Sequence, residues 1–383
     1  MAALDITTPS GRRQTEETLA RHGGDVYALA RRLRKDVGSF IDFSSNTHVF
    51  AAGVTERLVN ETRYPFEHYP DTDSVMLREA LSGHEGCSAA NILTGNGSSE
   101  LIWLALRELA PRKILFIGPM FSEYVRCAML LGIEFTILTP PDSQDFTCGP
   151  KELRVIWDSN ADLAVLCTPN NPGAVTYPNI QELFSVLRIP RVLVDNTYRE
   201  FLFGWPEYVA NTHATYATYA GTGVSVFSMN SFTKFFACPG LRLGYLVGDA
   251  GILARMAKNR PPWMLSPYAE HMGIRFLEHI EAYRDALLPM RRQGGDMATE
   301  LRLSGCFDPD RVFLGASFIT AALANNVPAA HAREKLLQRG VIVRDCDSIP
   351  GMPKGYVRIQ IRPEADARVL LDILSWHGAR GWN

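Results

Sequence analysis

Short apolar runs alternate with longer amphipathic stretches from about residue 41 to residue 249. The apolar runs are typical of strands buried on both faces, and the amphipathic stretches are typical of helices. This alternation predicts an α/β domain with a mostly parallel mixed sheet flanked by helices. The predicted strands are Ile114–Ile117, Phe135–Leu138, Leu163–Cys167, Arg191–Val194, Val224–Phe227 and Leu243–Val247, and helices between them include Ser99–Leu109 and Phe121–Leu131.

The pattern changes after Pro261-Pro262, and the remainder predicts a smaller α+β domain. We therefore divide the chain into an N-terminal segment (1–40) that packs with the small domain, a large domain (41–262) and a small domain (263–383). Before the large domain, residues 15–35 read as a helical region interrupted by Gly23-Gly24. The small domain is predicted to contain a long helical region from Pro267 to Leu303, strands at Ser317–Leu323, Val341–Arg344 and Tyr356–Ile361, and helices at Ala329–Arg339 and Glu364–Trp376.

Composition excludes several classes of protein. The formal net charge of −2 over 383 residues gives no basic field for nucleic acid or an anionic membrane. No apolar run reaches the roughly 18 residues that a membrane-spanning helix needs. The N-terminus lacks a signal-peptide pattern, and the seven cysteines are dispersed without a Cys-x-x-Cys pair. We predict a cytoplasmic protein with reduced thiols, no metal site, and neither nucleic-acid nor membrane partners.

The most informative segment is Ser231-Phe-Thr-Lys-Phe-Phe-Ala-Cys-Pro-Gly-Leu-Arg-Leu-Gly-Tyr245, in which three phenylalanines flank Lys234. Burial disfavours the ammonium form, so the pKa of the lysine falls and a free amine becomes available for a Schiff base. Arg242 lies eight positions further on and supplies a permanent cation that suits a phosphate. Together they suggest a pyridoxal 5′-phosphate (PLP) site, although a surface lysine before a turn is the ordinary alternative.

Further candidate residues follow the predicted strands, where open parallel sheets bind ligands. The loop Gly95-Asn96-Gly97-Ser98-Ser99-Glu100 precedes a helix and could hold a phosphate on free backbone N–H groups. Asp195 could pair with a pyridinium nitrogen, and Tyr198 could donate to the ring oxygen. A helix cap or a turn would explain these residues equally well.

Two other loops add weaker signals. Asn171, in Thr168-Pro-Asn-Asn-Pro-Gly173, could contact the same ring oxygen, although Asn-Pro and Pro-Gly pairs also mark ordinary turns. An aromatic side chain at Phe121 or Tyr124 could stack on the ring, although packing explains it as well. The order of the motifs carries more weight than any one of them: glycine loop, aromatic, Asn-Pro, Asp-x-x-Tyr, Ser-x-x-Lys and Arg.

This order resembles the fold-type I PLP enzymes, the aminotransferase class I/II superfamily, over nearly the whole chain. Within it, the chain resembles the branch that contains histidinol-phosphate aminotransferase and the threonine-phosphate decarboxylase of cobalamin synthesis. The stretches similar to the decarboxylase are His22-Gly-Gly24, Ile41-Asp-Phe-Ser-Ser-Asn46, Thr233-Lys-Phe-Phe-Ala-Cys-Pro-Gly-Leu-Arg-Leu-Gly-Tyr-Leu-Val247, Val343-Arg-Asp-Cys-Asp-Ser-Ile-Pro-Gly351 and Tyr356-Val-Arg-Ile-Gln-Ile-Arg362.

The resemblance implies a PLP-dependent enzyme that acts on an amino acid and forms a homodimer with shared active sites. It implies that Lys234 carries the cofactor as a Schiff base, that Asp195 pairs with the pyridinium and that Tyr198 contacts the ring oxygen. The other implied cofactor-binding residues are Gly97, Ser98, Ser99, Phe121, Asn171, Ser231, Thr233, Arg242 and, from the neighbouring subunit, Tyr69. The implied substrate-binding residues are Arg358 for the carboxylate, His22, Arg344 and Arg362 for a substrate phosphate, and Asn46. A histidine beside a helix break explains His22 as well.

The sequence departs from the family pattern at four places, namely Asn46-Thr-His-Val49, Asn171-Pro-Gly-Ala174, Asp195-Asn-Thr-Tyr198 and Pro262-Trp-Met-Leu-Ser-Pro267. We expect the first and the last to lie near the substrate and to affect its identity. Three hypotheses follow. The first is a decarboxylase of the threonine-phosphate type, the second is an aminotransferase of the histidinol-phosphate type, and the third is a PLP-fold regulator without turnover.

Overall fold

The structure is a computed structural model that describes residues 23–64, 66–174, 176–177, 180, 188–205, 207–209 and 224–382. Its strands are β1 (Ile41–Asp42), β2 (Ile92–Gly95), β3 (Lys113–Ile117), β4 (Glu134–Leu138), β5 (Leu163–Cys167), β6 (Arg191–Asp195), β7 (Ser225–Ser231), β8 (Gly244–Val247), β9 (Phe307–Leu314), β10 (Phe318–Leu323), β11 (Val341–Ile342), β12 (Arg344–Asp345) and β13 (Tyr356–Gln360).

The α-helices in the described part of the chain are α1 (Val26–Leu33), α2 (Ala52–Glu61), α3 (Val75–Glu85), α4 (Gly97–Leu109), α5 (Ser122–Leu130), α6 (Pro150–Trp157), α7 (Phe232–Phe235), α8 (Ala250–Lys258), α9 (Pro267–Glu278), α10 (Ile280–Asp285), α11 (Leu287–Leu303), α12 (Ala329–Gln338) and α13 (Glu364–Arg380). No helix among these residues combines the length and apolar character needed to cross a bilayer.

Seven strands form the large sheet in the order β2-β8-β7-β6-β5-β3-β4. Strand β8 runs antiparallel to both of its neighbours, and the other pairings are parallel. The sheet is buried on both faces, because alternate residues of β3 enter different apolar cores. Ile114 and Phe116 lie in one core, and Leu115 and Ile117 lie in the other. These observations confirm the predicted fold class.

The small sheet contains four antiparallel strands in the order β12-β13-β10-β9. The start of the predicted large domain reaches the C-terminal part of the chain through a separate two-stranded pairing, in which Ile41 lies opposite Val341. A second contact links the same two regions, since the backbone N–H of Gln360 donates to the carbonyl of Phe43 at 2.8 Å. The predicted domain limits at residues 40 and 262 stay a prediction.

The structure departs from the predicted elements at several places, and strands β2 and β9 were not predicted at all. The helical region from Pro267 to Leu303 is divided into α9, α10 and α11. The predicted strand Val341–Arg344 is divided between two sheets, as β11 and β12. Strand β7 continues beyond Phe227 through Ser228-Met-Asn-Ser231, although periodicity does not mark the three polar residues of this stretch as strand. Polar side chains there find hydrogen-bond partners inside the protein. Asn196, for example, donates to the hydroxyl of Ser228 at 2.8 Å.

A buried ionic cluster lies beneath the loop that follows β6. Arg199 donates twice to Glu85, at 2.5 and 3.1 Å, and both side chains are almost fully buried. Tyr245 donates to the same carboxylate at 2.6 Å. Burial alone would raise the pKa of Glu85, but Arg199 outweighs it, so the pKa lies below its ordinary value. The cluster therefore ties helix α3 to the segment that carries Asp195 and Tyr198.

We predict that Glu85→Ala lowers the free energy of unfolding by about 3–5 kcal/mol, because it leaves the guanidinium of Arg199 buried and unpaired. Urea denaturation followed by tryptophan fluorescence measures this loss. Glu79→Ala is the matched control, since Glu79 is exposed on the same helix and its loss should change stability by less than about 1 kcal/mol. Equal losses for the two variants would contradict a stabilising role for the buried pair.

Candidate active site

A cavity of about 480 Å³ opens at the carboxyl ends of β5, β6 and β7 and extends toward β13 of the small sheet. This is the edge at which parallel sheets bind ligands. Most of the residues predicted from the sequence line the cavity. They are Asn46, Ser98, Ser99, Phe121, Asn171, Asp195, Tyr198, Ser231, Thr233, Lys234, Arg242, Arg344 and Arg358.

Lys234 lies in α7, a short helix that begins directly after β7. The pKa of its amine is lowered to about 7, chiefly by burial and further by the charges of Arg358 and Arg242, while Asp195 acts in the opposite direction. The backbone also holds this lysine in place, because its carbonyl accepts the amide N–H of His48 at 2.8 Å. Burial and the neighbouring cations thus favour the neutral amine that Schiff-base formation requires.

Asp195 is the last residue of β6 and is buried at the floor of the cavity. Its carboxylate accepts the hydroxyl of Tyr124 and the amide N–H of Thr197, both at 3.0 Å. Burial raises the pKa of Asp195 and outweighs these hydrogen bonds and the charge of Lys234. A cationic ring nitrogen placed beside this carboxylate would compensate for its burial.

Four polar side chains form a hydrogen-bonded chain across the cavity. Arg358 donates to the side-chain oxygen of Asn171 at 2.5 Å, and Asn171 donates to the hydroxyl of Tyr198 at 2.9 Å. Asn46 donates to the same hydroxyl at 2.7 Å. This series of hydrogen bonds joins β13 of the small sheet to the loops that follow β5 and β6.

The opposite end of the cavity is suited to a phosphate. Gly97 begins α4 with a φ of 73°, and a side chain there would lie 2.5 Å from the guanidinium of Arg242. A Cβ at Gly244 would likewise lie 2.8 Å from the backbone nitrogen of Ser98. Ser231 caps the next helix by accepting the N–H of Thr233 at 3.3 Å. Hydroxyl groups, a helix N-terminus and an arginine thus surround a space that the two glycines keep open.

Arg358 and Arg344 line the end of the cavity beyond Lys234. Arg358 is buried, lies beside the ring of Phe318 and donates to the carbonyl of Ser44 at 2.8 Å. Burial lowers the pKa of Arg344 to about 10, and its guanidinium donates to Ser348 at 3.0 Å. Two cations therefore face the space that a substrate would occupy.

Other predicted residues lie away from the cavity. Arg362 does not line it and is held by Asp366 at 2.7 Å, so we leave Arg362 out of the proposed substrate site. Tyr69 is 79% exposed in the single chain and stacks on Trp263 at 4.6 Å. His22 lies outside the described residues.

Phe121 lines the cavity, and its stacking on the ring stays a prediction.

The structure places only part of the unusual segments at the cavity. Asn46 and Thr47 line the cavity, but His48 lies behind Lys234 against the rings of Phe201 and Phe235 and is not part of the lining. The stretch around Trp263 does not line the cavity of this chain either.

Sequence reasoning missed two residues that hold the Asp195 carboxylate. It considered Tyr124 only as a stacking candidate, and it gave Thr197 no role. The spacing of Tyr124, three residues after Phe121 and in the first turn of α5, was the available signal. No group of three or more potential metal-ligating side chains occurs within the described ranges.

The family model described as Aminotransferase class I and II matches residues 40–374. The chain belongs to this family. The family depends on PLP, so PLP is the cofactor of this enzyme. The predicted family, fold class, enzyme class and cofactor are thereby confirmed, and the arrangement around Lys234, Asp195 and the glycine-rich loop fits the cofactor.

Individual relatives carry two different activities. The chain is 27% identical to a threonine-phosphate decarboxylase of Salmonella typhimurium, over 92% of this chain and 95% of the relative. It is 28% identical to a histidinol-phosphate aminotransferase of Desulfitobacterium hafniense, over 86% and 89%. The fold is similar to that of the Sinorhizobium meliloti histidinol-phosphate aminotransferase in complex with PLP, with a TM-score of 0.75, 18% identity and 99% of each chain covered.

We predict that PLP uptake by the apoprotein follows the titration of Lys234. Because a pKa of about 7 leaves the amine neutral above that pH, the uptake rate should rise through pH 7 and then level off. A lysine with its ordinary pKa would keep gaining rate up to about pH 10. Stopped-flow measurement of the growing visible absorbance across this pH range gives the profile.

Arg358→Met provides the matched comparison for this prediction. It removes one of the two cations that lower the pKa of Lys234, so the rise in uptake rate should move to higher pH. Lys234→Ala should show no growth of the visible absorbance when PLP is added. A profile that the loss of Arg358 does not move would contradict the electrostatic part of the explanation.

Proposed function

We propose that this protein is a PLP-dependent decarboxylase of a phosphorylated amino acid, of the threonine-phosphate type. The observation that carries the proposal is a pair of cations, buried Arg358 and half-buried Arg344, at the end of the cavity beyond Lys234. One cation suits a carboxylate and the second suits another anionic group of the same substrate. The decarboxylase-like motifs and the decarboxylase relative support the same conclusion. A role in a cobalamin-type pathway and a cytoplasmic location belong to this proposal as expectations.

Bound PLP supplies an electron sink for the pair of electrons released at the α-carbon of an amino acid. Lys234 would hold the cofactor, Asp195 would keep the ring nitrogen protonated, and Tyr198 and Asn171 would contact the ring oxygen. The phosphate end would be held by Gly97, Ser98, Ser99, Ser231, Thr233 and Arg242.

Lys234 would also move a proton at the α-carbon. A pKa of about 7 lets the same amine accept and return a proton near neutral pH. Arg358 would fix the substrate carboxylate, and Arg344 would fix its second anion. Together these contacts would decide how the α-carbon is oriented toward the cofactor and therefore which reaction follows.

The alternative is an aminotransferase of the histidinol-phosphate type. The aminotransferase relative favours it, since it matches the chain about as well as the decarboxylase does. The groups that hold the cofactor would serve both reactions, so the two proposals differ in how the substrate is oriented. In the alternative, Lys234 would remove the proton of the α-carbon, and a keto acid would be required as acceptor.

We predict that threonine phosphate releases carbon dioxide in the presence of this protein without any keto acid. The assay measures carbon dioxide with and without 2-oxoglutarate, and Lys234→Ala should abolish its release. Histidinol phosphate with 2-oxoglutarate is the second arm, in which formation of glutamate is measured. Product that forms only when 2-oxoglutarate is present would overturn the decarboxylase proposal in favour of the aminotransferase.

We further propose that the protein is a homodimer in which Tyr69 reaches the cofactor of the neighbouring subunit. The exposed hydroxyphenyl ring of Tyr69, held against Trp263, is placed outside the cavity of its own chain. The same surface exposes Phe66, whose ring lies 6.3 Å from that of Tyr268. Exposed aromatic rings at one surface are typical of a protein interface.

Complementation tests the shared site. Lys234→Ala and Tyr69→Ala should each be nearly inactive alone. Co-expression should restore about a quarter of the wild-type activity, because half of the dimers are mixed and each mixed dimer regains one of its two sites. A co-expressed pair no more active than its parents, or a fully active Tyr69→Ala protein, would contradict the proposal.

A further inference from the structure

The hydroxyl oxygen of Tyr198 accepts hydrogen bonds from two side-chain amides, one of which belongs to Asn46. An amide N–H can only donate, so the hydroxyl oxygen accepts one hydrogen bond from Asn46, at 2.7 Å, and one from Asn171, at 2.9 Å. The orientation of Asn171 is fixed independently, because its side-chain oxygen accepts from Arg358. Two donors therefore occupy both acceptor positions of the phenol oxygen.

The proton of this phenol has to point elsewhere. Burial raises the pKa of Tyr198, so the phenol keeps its proton. The ring is held at its edges by Phe318 and Phe201, with centroids at 5.8 and 6.1 Å, and the residue is 2% exposed. Since Tyr198 lines the cavity, its hydroxyl is left to donate to a ligand bound there.

We propose that Asn46 is a positioning residue that makes Tyr198 an obligate hydrogen-bond donor to the ring oxygen of the cofactor. This differs from the role in substrate binding that the sequence suggested for Asn46. The inference rests on the cofactor part of the proposed function and is independent of which reaction the enzyme catalyses.

The segment around Asn46 is built to hold that orientation. The backbone carbonyl of Asn46 accepts the hydroxyl of Ser317 at 2.8 Å, and Asn46 is itself buried. The next residue, Thr47, is fixed by Gln360, which donates to its carbonyl at 2.8 Å. Both partners belong to the C-terminal part of the chain, so the small domain sets the position of an amide that acts on the large domain.

A donor to the ring oxygen stabilises the negative charge of that oxygen, which lowers the pKa of the adjacent imine nitrogen on Lys234. Polarisation along a hydrogen-bond chain strengthens the last donor, so the loss of Asn46 should weaken the bond made by Tyr198. The imine pKa of the PLP-loaded protein is therefore expected to rise in Asn46→Ala, by about one pH unit, which is the scale of one hydrogen bond to a charged group.

The test is a spectrophotometric pH titration of the visible band in the PLP-loaded wild-type, Asn46→Ala, Tyr198→Phe and doubly substituted proteins. Asn46→Ala should raise the midpoint, whereas the same change in the Tyr198→Phe background should leave it where Tyr198→Phe alone puts it. This double-mutant cycle separates an effect that passes through the tyrosine from a direct one.

Asn46→Asp gives a second and nearly isosteric measurement. An ionised carboxylate only accepts, so it would draw the proton of Tyr198 toward itself and away from the cofactor. The midpoint should then rise at least as far as in Asn46→Ala, and in the Tyr198→Phe background only the part of the rise that comes directly from the added negative charge should remain.

Three outcomes would overturn the inference. They are an unchanged midpoint in Asn46→Ala, a shift of the same size with and without the tyrosine hydroxyl, and loss of cofactor binding in both Asn46 variants while Tyr198→Phe still binds it. A wild-type protein that gains no visible band with PLP would instead refute the proposed function, so the two failures are distinguishable.

Discussion

The site depends on how charge is balanced around one buried amine. Among the groups that line its cavity, Lys234 is affected most by two guanidinium groups, Arg358 and Arg242, and by one buried carboxylate, Asp195. Burial and the two cations disfavour the ammonium form more than the carboxylate favours it, so the pKa falls to about 7. Removing any of these charges would therefore change the pKa of the amine.

Contacts between the two sheets hold Arg358 and the Asn171 loop in place. Arg358 lies opposite Thr320 in the pairing of β13 with β10. The hydroxyl of Thr320 donates to the carbonyl of Pro172 at 2.6 Å, so the small sheet also holds the loop that carries Asn171. The arginine and its asparagine partner are thereby fixed by the same pair of strands. The cavity takes its shape from this junction as much as from the large sheet.

The sequence predicted the groups that face the cofactor better than those that support them. Lys234, Asp195 and Tyr198 each follow a strand whose apolar run is visible in the sequence, so their common edge could be predicted. The contact between Asn46 and Tyr198 spans 152 positions, and no periodic pattern encodes such a distant pair. The family resemblance implied Arg362 as a phosphate ligand, and only the structure shows that Asp366 engages it.

The predicted strand boundaries were wrong where polar residues are buried and where one apolar run contributes to two sheets. The polar end of β7 is satisfied by internal hydrogen bonds, which a hydrophobic pattern does not record. Val343 separates β11 from β12, and a run of apolar residues gives no sign that its two ends join different sheets. Both failures concern tertiary partners, which decide the secondary structure of short segments.

The departures from the family pattern fall into two physical groups. His48 lies behind Lys234, and its burial lowers the pKa to about 4, so it is neutral and packs as an aromatic ring. Asn196, between Asp195 and Tyr198, supports the floor of the site through Ser228. Neither changes the groups that face the ring. Thr47, by contrast, lines the cavity, so a difference at that position can reach a molecule bound there.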